Sequence, residues 1–302
     1  MLVTTLAVFL SLALVVTAGC QASEEPGTAT VQDKLKESGI QEKDKISIGV
    51  ATFEPLMGMQ RNGVYSGFDI EIARYIAASL GFAGDDKIEF VPIATEDRVA
   101  SLQGGRVDLV VASFSITEER QKLISFAGPY LVTTQEVLVP IANRDKIRTL
   151  EDLSNPEYRI CASGGSTTET ELKRRGVNVL VLQTVRDCLN GVREGDYDAM
   201  SSDETILAGF RSEYPGEFEI VDLPFGTSEL LGIGVPIGNP ALRDLVAYFL
   251  NRSYLLGQSG QASPWLVAYN NTLGPWLGAG RTQPQPLEVP NLVDFTDKVN
   301  QQ

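Results

Sequence analysis

From residue 46 onward, short apolar runs alternate with amphipathic segments, which predicts strands and helices in turn. ISIGVA reads as a strand. GFDIEIARYIAASLG follows as a helix over 69–80, because Ile72, Ala73, Ile76, Ala77 and Leu80 recur at three- and four-residue spacing. Asp69 and Glu71 favour its positive N-terminal end, and Gly81 suits its stop. KIEFVPI is the next strand, EDRVASLQ a helix with Thr95 as cap and Gly104-Gly105 as stop, and VDLVVASF a strand. A second series opens near residue 148. YRICAS, NVLVLQ and YDAMSS read as strands, and STTETELKRRG, TVRDCLNGVREG and DETILAGF as helices, with Thr184 and Gly195 bracketing the second of these.

Two successive α/β sets of similar size predict two lobes of layered α/β structure. QEVLVPIANRDK between the sets and SELLGIGVPIGNP after the second each pair an apolar strand with a proline turn, so both are candidates to cross between lobes as a hinge. ALRDLVAYFLNRS is the last amphipathic helix, with Pro240 placed to start it. Beyond residue 273 the Gly-, Pro- and Gln-rich sequence predicts an extended strap or a mobile tail.

The first 19 residues form an uncharged apolar run ending in small residues, which reads as an export signal. Cys20 follows directly. It is read either as a thiol or, preferably, as a lipid acceptor, since Thr17-Ala18-Gly19-Cys20 resembles a bacterial lipoprotein signal with residues 20–45 as a tether. In an exported chain Cys161 and Cys188 are candidates for one disulfide, with two separate buried thiols as the alternative.

Charge and composition remove whole classes of function. With 25 basic against 39 acidic residues and a net charge of −14, the chain lacks the basic surface that nucleic acid requires. It contains no histidine, which eliminates Ser-His-Asp and Cys-His catalysis and His-ligated zinc. No cofactor motif is present; GGSTTETELK lacks the GxxxxGK[ST] of a nucleotide loop.

Three polar clusters carry the candidate chemistry. In ASFSITEERQ, Ser113 and Ser115 leave a strand end on one face, Thr117 caps a turn and Arg120 follows, a set suited to a carboxylate because Arg binds it as a fork. The alternative is a capped loop with Arg120 in a structural ion pair. In CASGGSTTETELK, Gly164 and Gly165 allow close backbone approach, and Ser166-Thr167 stand at a helix start that either attracts an anion or is an ordinary cap. In MSSDETIL, Asp203 either caps a helix, accepts from an ammonium group, or does both.

GFDIEIARYIAASLG, DRVASLQGGRVDLVVASFSITEERQKLISFAGPY, GST and SSDETILAG together resemble the family 3 extracellular solute-binding proteins of amino-acid ABC importers, over roughly residues 46 to 272. Cys161, Cys188 and SFAGPY look most like its glutamate-binding lipoprotein branch. The resemblance implies a two-lobed, type II periplasmic-binding-protein-like α/β fold with a two-strand hinge and a cleft between the lobes. Lobe 1 would comprise 46–138 and 233–272, lobe 2 139–232, and the tail 273–302. It implies that Arg120 pairs with a ligand α-carboxylate, that Ser113 and Ser115 add hydrogen bonds, that Thr167 binds the carboxylate from lobe 2 with Ser166 beside it, and that Asp203 takes the α-ammonium. Asp69 and Glu71 would be a helix-entrance signature behind the cleft. Arg98 stands where acidic-ligand binders place an arginine toward the side-chain carboxylate, with an exposed helix residue as the other reading. Phe53 stands at a frequent aromatic lid, with a core role as its alternative.

The implied molecule is a monomeric, lipid-anchored, non-enzymatic binder of glutamate or aspartate that hands its ligand to a membrane permease. The rivals are a sensor signalling to a membrane partner, a glutamine or asparagine binder, and an enzyme on the same fold such as a cyclic amino-acid dehydratase.

Overall fold

The computed structural model describes residues 28–295, so the export signal and Cys20 lie outside the described residues. The chain runs through α1 (Val31–Ser38), β1 (Ile46–Val50), β2 (Phe53–Glu54), β3 (Gly58–Arg61), β4 (Val64–Ser66), α2 (Phe68–Ser79), β5 (Ile88–Pro92), α3 (Arg98–Gln103), β6 (Leu109–Val110) and α4 (Glu118–Gln121). It continues with β7 (Ser125–Pro140), α5 (Leu150–Leu153), β8 (Ile160–Ser163), α6 (Thr167–Arg174), β9 (Val179–Leu182), α7 (Val185–Glu194), β10 (Ala199–Asp203), α8 (Glu204–Glu213), β11 (Phe218–Val235), α9 (Pro240–Gln258), α10 (Pro264–Asn271) and α11 (Gly274–Leu277).

Eight strands form one curled sheet in the order β5-β1-β6-β11-β7-β10-β8-β9. The long strands β7 and β11 pair antiparallel through its middle and belong to both lobes. Ser125–Thr133 of β7 pairs with Glu229–Val235 of β11 on the first-lobe side. Gln135–Leu138 of β7 pairs with β10 on the second-lobe side. Register breaks between Val221 and Phe225 and between Phe225 and Glu229 separate the two stretches of β11 that pair with β7.

Apolar burial follows the periodicity. One cluster joins Ile46, Ile48, Phe68, Ile72 and Ile76 to Leu245 and Phe249 of α9 and extends into Leu189, Leu207 and Phe210 of α7 and α8. A second fills the far face of lobe 2 around Val137, Ile160, Leu172 and Phe225. Cys161 and Cys188, both fully buried, are joined in a disulfide that ties β8 to α7.

Three local expectations are corrected. Residues 31–38, read as tether, form α1, held by a Thr30–Asp33 capping box with Val31 and Leu35 buried; only two apolar residues carry its docking, too few for a visible period. Thr95 caps nothing: its carbonyl accepts from Arg98 Nε at 2.8 Å and its hydroxyl accepts from Ser163 Oγ at 3.3 Å. The strand expected through VDLVVASF ends at Val110, because Ser113 adopts a left-handed backbone with φ 46°.

The tail is a strap. Gln283 is buried and bonded to Ser253 and to the Leu250 carbonyl. Leu287 N–H donates to Gly128 O at 2.7 Å, and Val293 bridges to Thr30. Arg281 reaches the other way, to Glu204 at the start of α8, at 2.7 Å.

Candidate ligand-binding site

The cleft is built around one strained residue. Left-handed backbone at a non-glycine residue persists only where neighbours over-determine it, and Ser113 is held on three sides. Its N–H donates to Asp69 Oδ2 at 2.7 Å, its carbonyl accepts from Arg98 Nη1 at 3.0 Å, and its hydroxyl donates to Glu54 Oε2 at 2.9 Å. Asp69 is fully buried, and Tyr130 O–H donates to its other oxygen at 2.8 Å. Tyr130 is itself fixed by packing on Phe68 and by the Trp265 Nε1–H bond to its carbonyl at 2.6 Å. The acidic doublet therefore divides: Asp69 anchors the cleft loop from behind, while Glu71 lies outside and pairs with Arg74.

Ser113, Ser115, Arg98, Ser166, Thr167 and Asp203 line one small cavity, together with Glu54, Ser163 and Ser202. Thr117 caps α4 by accepting Arg120 N–H, which aims the Arg120 side chain back along the cleft. Arg120 Nη1 donates to Ser115 O at 2.7 Å and Nη2 to Gly165 O at 2.9 Å, with the guanidinium 5.0 Å over the Phe114 ring. Arg120 lies at the boundary of that cavity with a wider recess lined by Gln135, Thr167 and Glu229. Ser115 Oγ and Thr167 Oγ1 face each other across the lobes at 3.5 Å.

Ser166 caps α6 by accepting Glu169 N–H, and Glu169 carboxylate accepts Gly165 N–H at 2.7 Å. The glycine pair serves lobe contact: at Gly165, φ +71°, a methyl would lie 2.9 Å from Glu96 Cα of lobe 1. Asp203 occupies the N-cap position of α8 but makes no capping bond, so its carboxylate is left to the cavity. Phe53 is 52% exposed and sits in an adjoining recess with Arg98, Thr184 and Val185, at the rim rather than in the cavity with Asp203.

Arg98 is buried, not exposed. Its Nε and Nη1 bond the carbonyls of Thr95, Ala112 and Ser113, and it stacks 4.5 Å over Phe114. It is a fixed positive charge that also holds the Ser113 loop. Burial first, then Arg120, lowers it to about 9, still charged at neutral pH. Burial likewise lowers Arg120, opposed by Glu229 and Asp203. Asp203 is raised well above the usual carboxylate range, by burial and then by Glu229 and Glu54, against the pull of both arginines. Burial and the Asp69 charge raise Glu54 to about 7. Burial raises Asp69 to about 6 despite its bonds from Tyr130 and Ser113.

Glu54 and the Gln135–Glu229 pair at the hinge, bonded at 2.8 Å, were not among the residues singled out in the sequence. A lone acid in the apolar stretch FEPLMGM was the available signal for Glu54. Among the described residues no group of three or more His, Cys, Asp or Glu is arranged to hold a metal ion. The cavity and the recess beside it offer a cation each, Arg98 and Arg120, with hydroxyls from both lobes and buried carboxyls. That suits a small zwitterion bound by its charged ends, and it provides no histidine to move protons.

Comparison with known proteins agrees with this chemistry. The model of the bacterial extracellular solute-binding proteins, family 3, matches residues 46–261. The chain is 32% identical over 230 residues to the glutamate-binding protein GluB of Corynebacterium glutamicum, covering 72% of this chain and 76% of that protein. It is 31% identical over 244 residues to the ABC transporter glutamine-binding protein GlnH of Bacillus subtilis, covering 79% and 87%. Among solved structures, the cysteine-binding protein of Campylobacter jejuni matches with a TM-score of 0.71 at 25% identity, over 82% of this chain and 96% of that one.

Proposed function

This chain belongs to the bacterial extracellular solute-binding proteins of family 3, and from that premise we propose that it binds an acidic amino acid, glutamate or aspartate, for delivery to an ABC permease. Its place is extracytoplasmic, and no helix among the described residues is long and apolar enough to cross a membrane. Cys20 would anchor it to the membrane by lipid.

The observation that carries the acidic reading is the buried cation Arg98 in the cavity with Asp203. With Arg120, in the adjoining recess, taking an α-carboxylate and Asp203 an α-ammonium, Arg98 would be left for a further anionic group. A charge-assisted hydrogen bond or close ion contact of this kind contributes roughly 1.5–3 kcal/mol. Thr167 and Asp203 come from lobe 2 while Ser113, Ser115 and Arg120 come from lobe 1, so one ligand favours closure through contacts that both lobes must supply. The similarity to GluB supports glutamate, and the comparable similarity to GlnH makes glutamine the rival that the test must separate.

The test is calorimetric titration of refolded, ligand-free protein with Glu, Asp, Gln, Asn, Arg and His. Tight binding of Glu or Asp with little response to the others is the expected result, and preferential binding of Gln overturns the acidic reading. Incubation that returns the ligand unchanged accords with carriage rather than catalysis.

A further inference from the structure

Glu54 ends β2 and is 6% exposed, yet it is among the residues that line both the central cavity and the recess beside Phe53, with Arg98 common to the two. Resting on the acidic-ligand reading above, we propose that Glu54 reads the end of the ligand side chain. As the neutral acid it donates to a carboxylate, and as the carboxylate it accepts from a carboxamide, so the preference for glutamate over glutamine falls as pH rises.

The geometry sets this up. Ser113 Oγ lies 2.9 Å from Glu54 Oε2 and 3.2 Å from Asp69 Oδ2, so two buried carboxyls share one hydroxyl donor. A ligand side-chain carboxylate brought to Arg98 would add a third acid around one cation. A proton taken from solvent onto Glu54 removes that repulsion and supplies a donor. A carboxamide brings its own N–H donors and needs Glu54 ionised. Burial and Asp69 lift Glu54 to about 7, against Ser113 and Arg98, so both forms are accessible near neutral pH.

The charged and titratable surroundings are few. Asp69 faces Glu54 from α2, Arg98 from α3 and Asp203 from β10, with Tyr130 of β7 behind Asp69. From α7 the neighbours are Thr184 and Val185, while Arg186 is turned to Glu213; from α8 come Ile206 and Gly209. Asp203 and Arg120 would meet the α-ammonium and α-carboxylate that glutamate and glutamine share. Their titration cancels in the ratio of the two affinities.

The experiment is calorimetry of the full chain with glutamate and with glutamine from pH 6 to 8.5, in buffers of differing ionisation enthalpy, for wild type and Glu54→Gln. Across the whole range the wild-type Glu/Gln affinity ratio should fall, approaching tenfold per pH unit, with proton uptake per glutamate bound rising toward one above pH 7. Glu54→Gln should flatten the ratio and abolish the uptake. A wild-type ratio level across the range, or a falling ratio unchanged in Glu54→Gln, overturns the proposal while leaving the acidic reading intact. Failure of glutamate and aspartate to bind folded protein at any pH overturns both.

Discussion

Arg120 of lobe 1 donates from Nη2 to the carbonyl of Gly165 in lobe 2 at 2.9 Å, so the residue assigned to the ligand carboxylate also touches the opposite lobe. A carboxylate is a stronger acceptor than a carbonyl and takes both arms of the fork, so the ligand would compete for this guanidinium on favourable terms. Arg120→Ala should weaken binding of every α-amino acid by about 100-fold or more, on the order of 3 kcal/mol. Arg120→Lys should recover only part of that, because a point charge lacks the fork. Calorimetry on folded variants decides this, and wild-type affinity in Arg120→Ala would remove the carboxylate assignment.

The buried carboxyls make stability depend on pH in the opposite sense to a salt-bridged acid. Glu54 rises from 4.5 to about 7 in the folded protein, so the folded state holds this proton where the unfolded chain has lost it. Its contribution is fully present below about pH 4.5 and is lost as pH climbs through about 7. In ligand-free protein, Glu54→Gln should therefore gain relative to wild type by roughly 2–3 kcal/mol between pH 4.5 and 8. Denaturant unfolding of both proteins at several pH values measures it. A difference independent of pH would mean that Glu54 is ionised throughout.

The strand and helix alternation of both lobes was legible because each element presents one apolar face, as α2 does with Ile72 and Ile76. The candidate cavity was legible where residue type and spacing coincide: Thr117 caps the turn that carries Arg120, and Ser113, Thr167 and Asp203 line one cavity. What stayed hidden depends on contacts far apart in sequence. The apolar stretch around Glu54 hinted at burial, but its partner Ser113 lies 59 positions on in the chain. Thr95 has the sequence of a helix cap, but Ser163 from the other lobe takes its hydroxyl. The strap was ambiguous for a related reason, since Gln283 and Leu287 find their partners on α9 and at Gly128.

Cys161 and Cys188 lie 27 positions apart, and their link holds α7 against β8 within lobe 2. By the loop-closure argument the disulfide stabilises the fold by roughly 3–4 kcal/mol. The Cys161→Ala/Cys188→Ala protein should unfold at correspondingly lower denaturant, with near-native ligand affinity wherever it remains folded, because neither sulfur lines the cleft cavity. A binding loss larger than the stability loss explains would place the disulfide in control of the cleft.

Gly209 lies on α8 of lobe 2 directly against the Pro55 carbonyl of lobe 1, and a methyl on Gly209 would overlap that carbonyl. The contact sits on rigid backbone on both sides, so it cannot be relieved by turning a side chain. Arg61 and Glu213 pair beside it, from β3 to α8, which makes this face a second seam between the lobes. Gly209→Ala should therefore act on closure: affinity falls by about tenfold or more, and the protein with ligand scatters X-rays as a more extended particle than wild type does with ligand. The intrinsic helix preference of Ala over Gly, about 1 kcal/mol, opposes any loss of local stability in α8. Undiminished affinity with an unchanged radius of gyration would show that the seam yields and that closure does not depend on this contact.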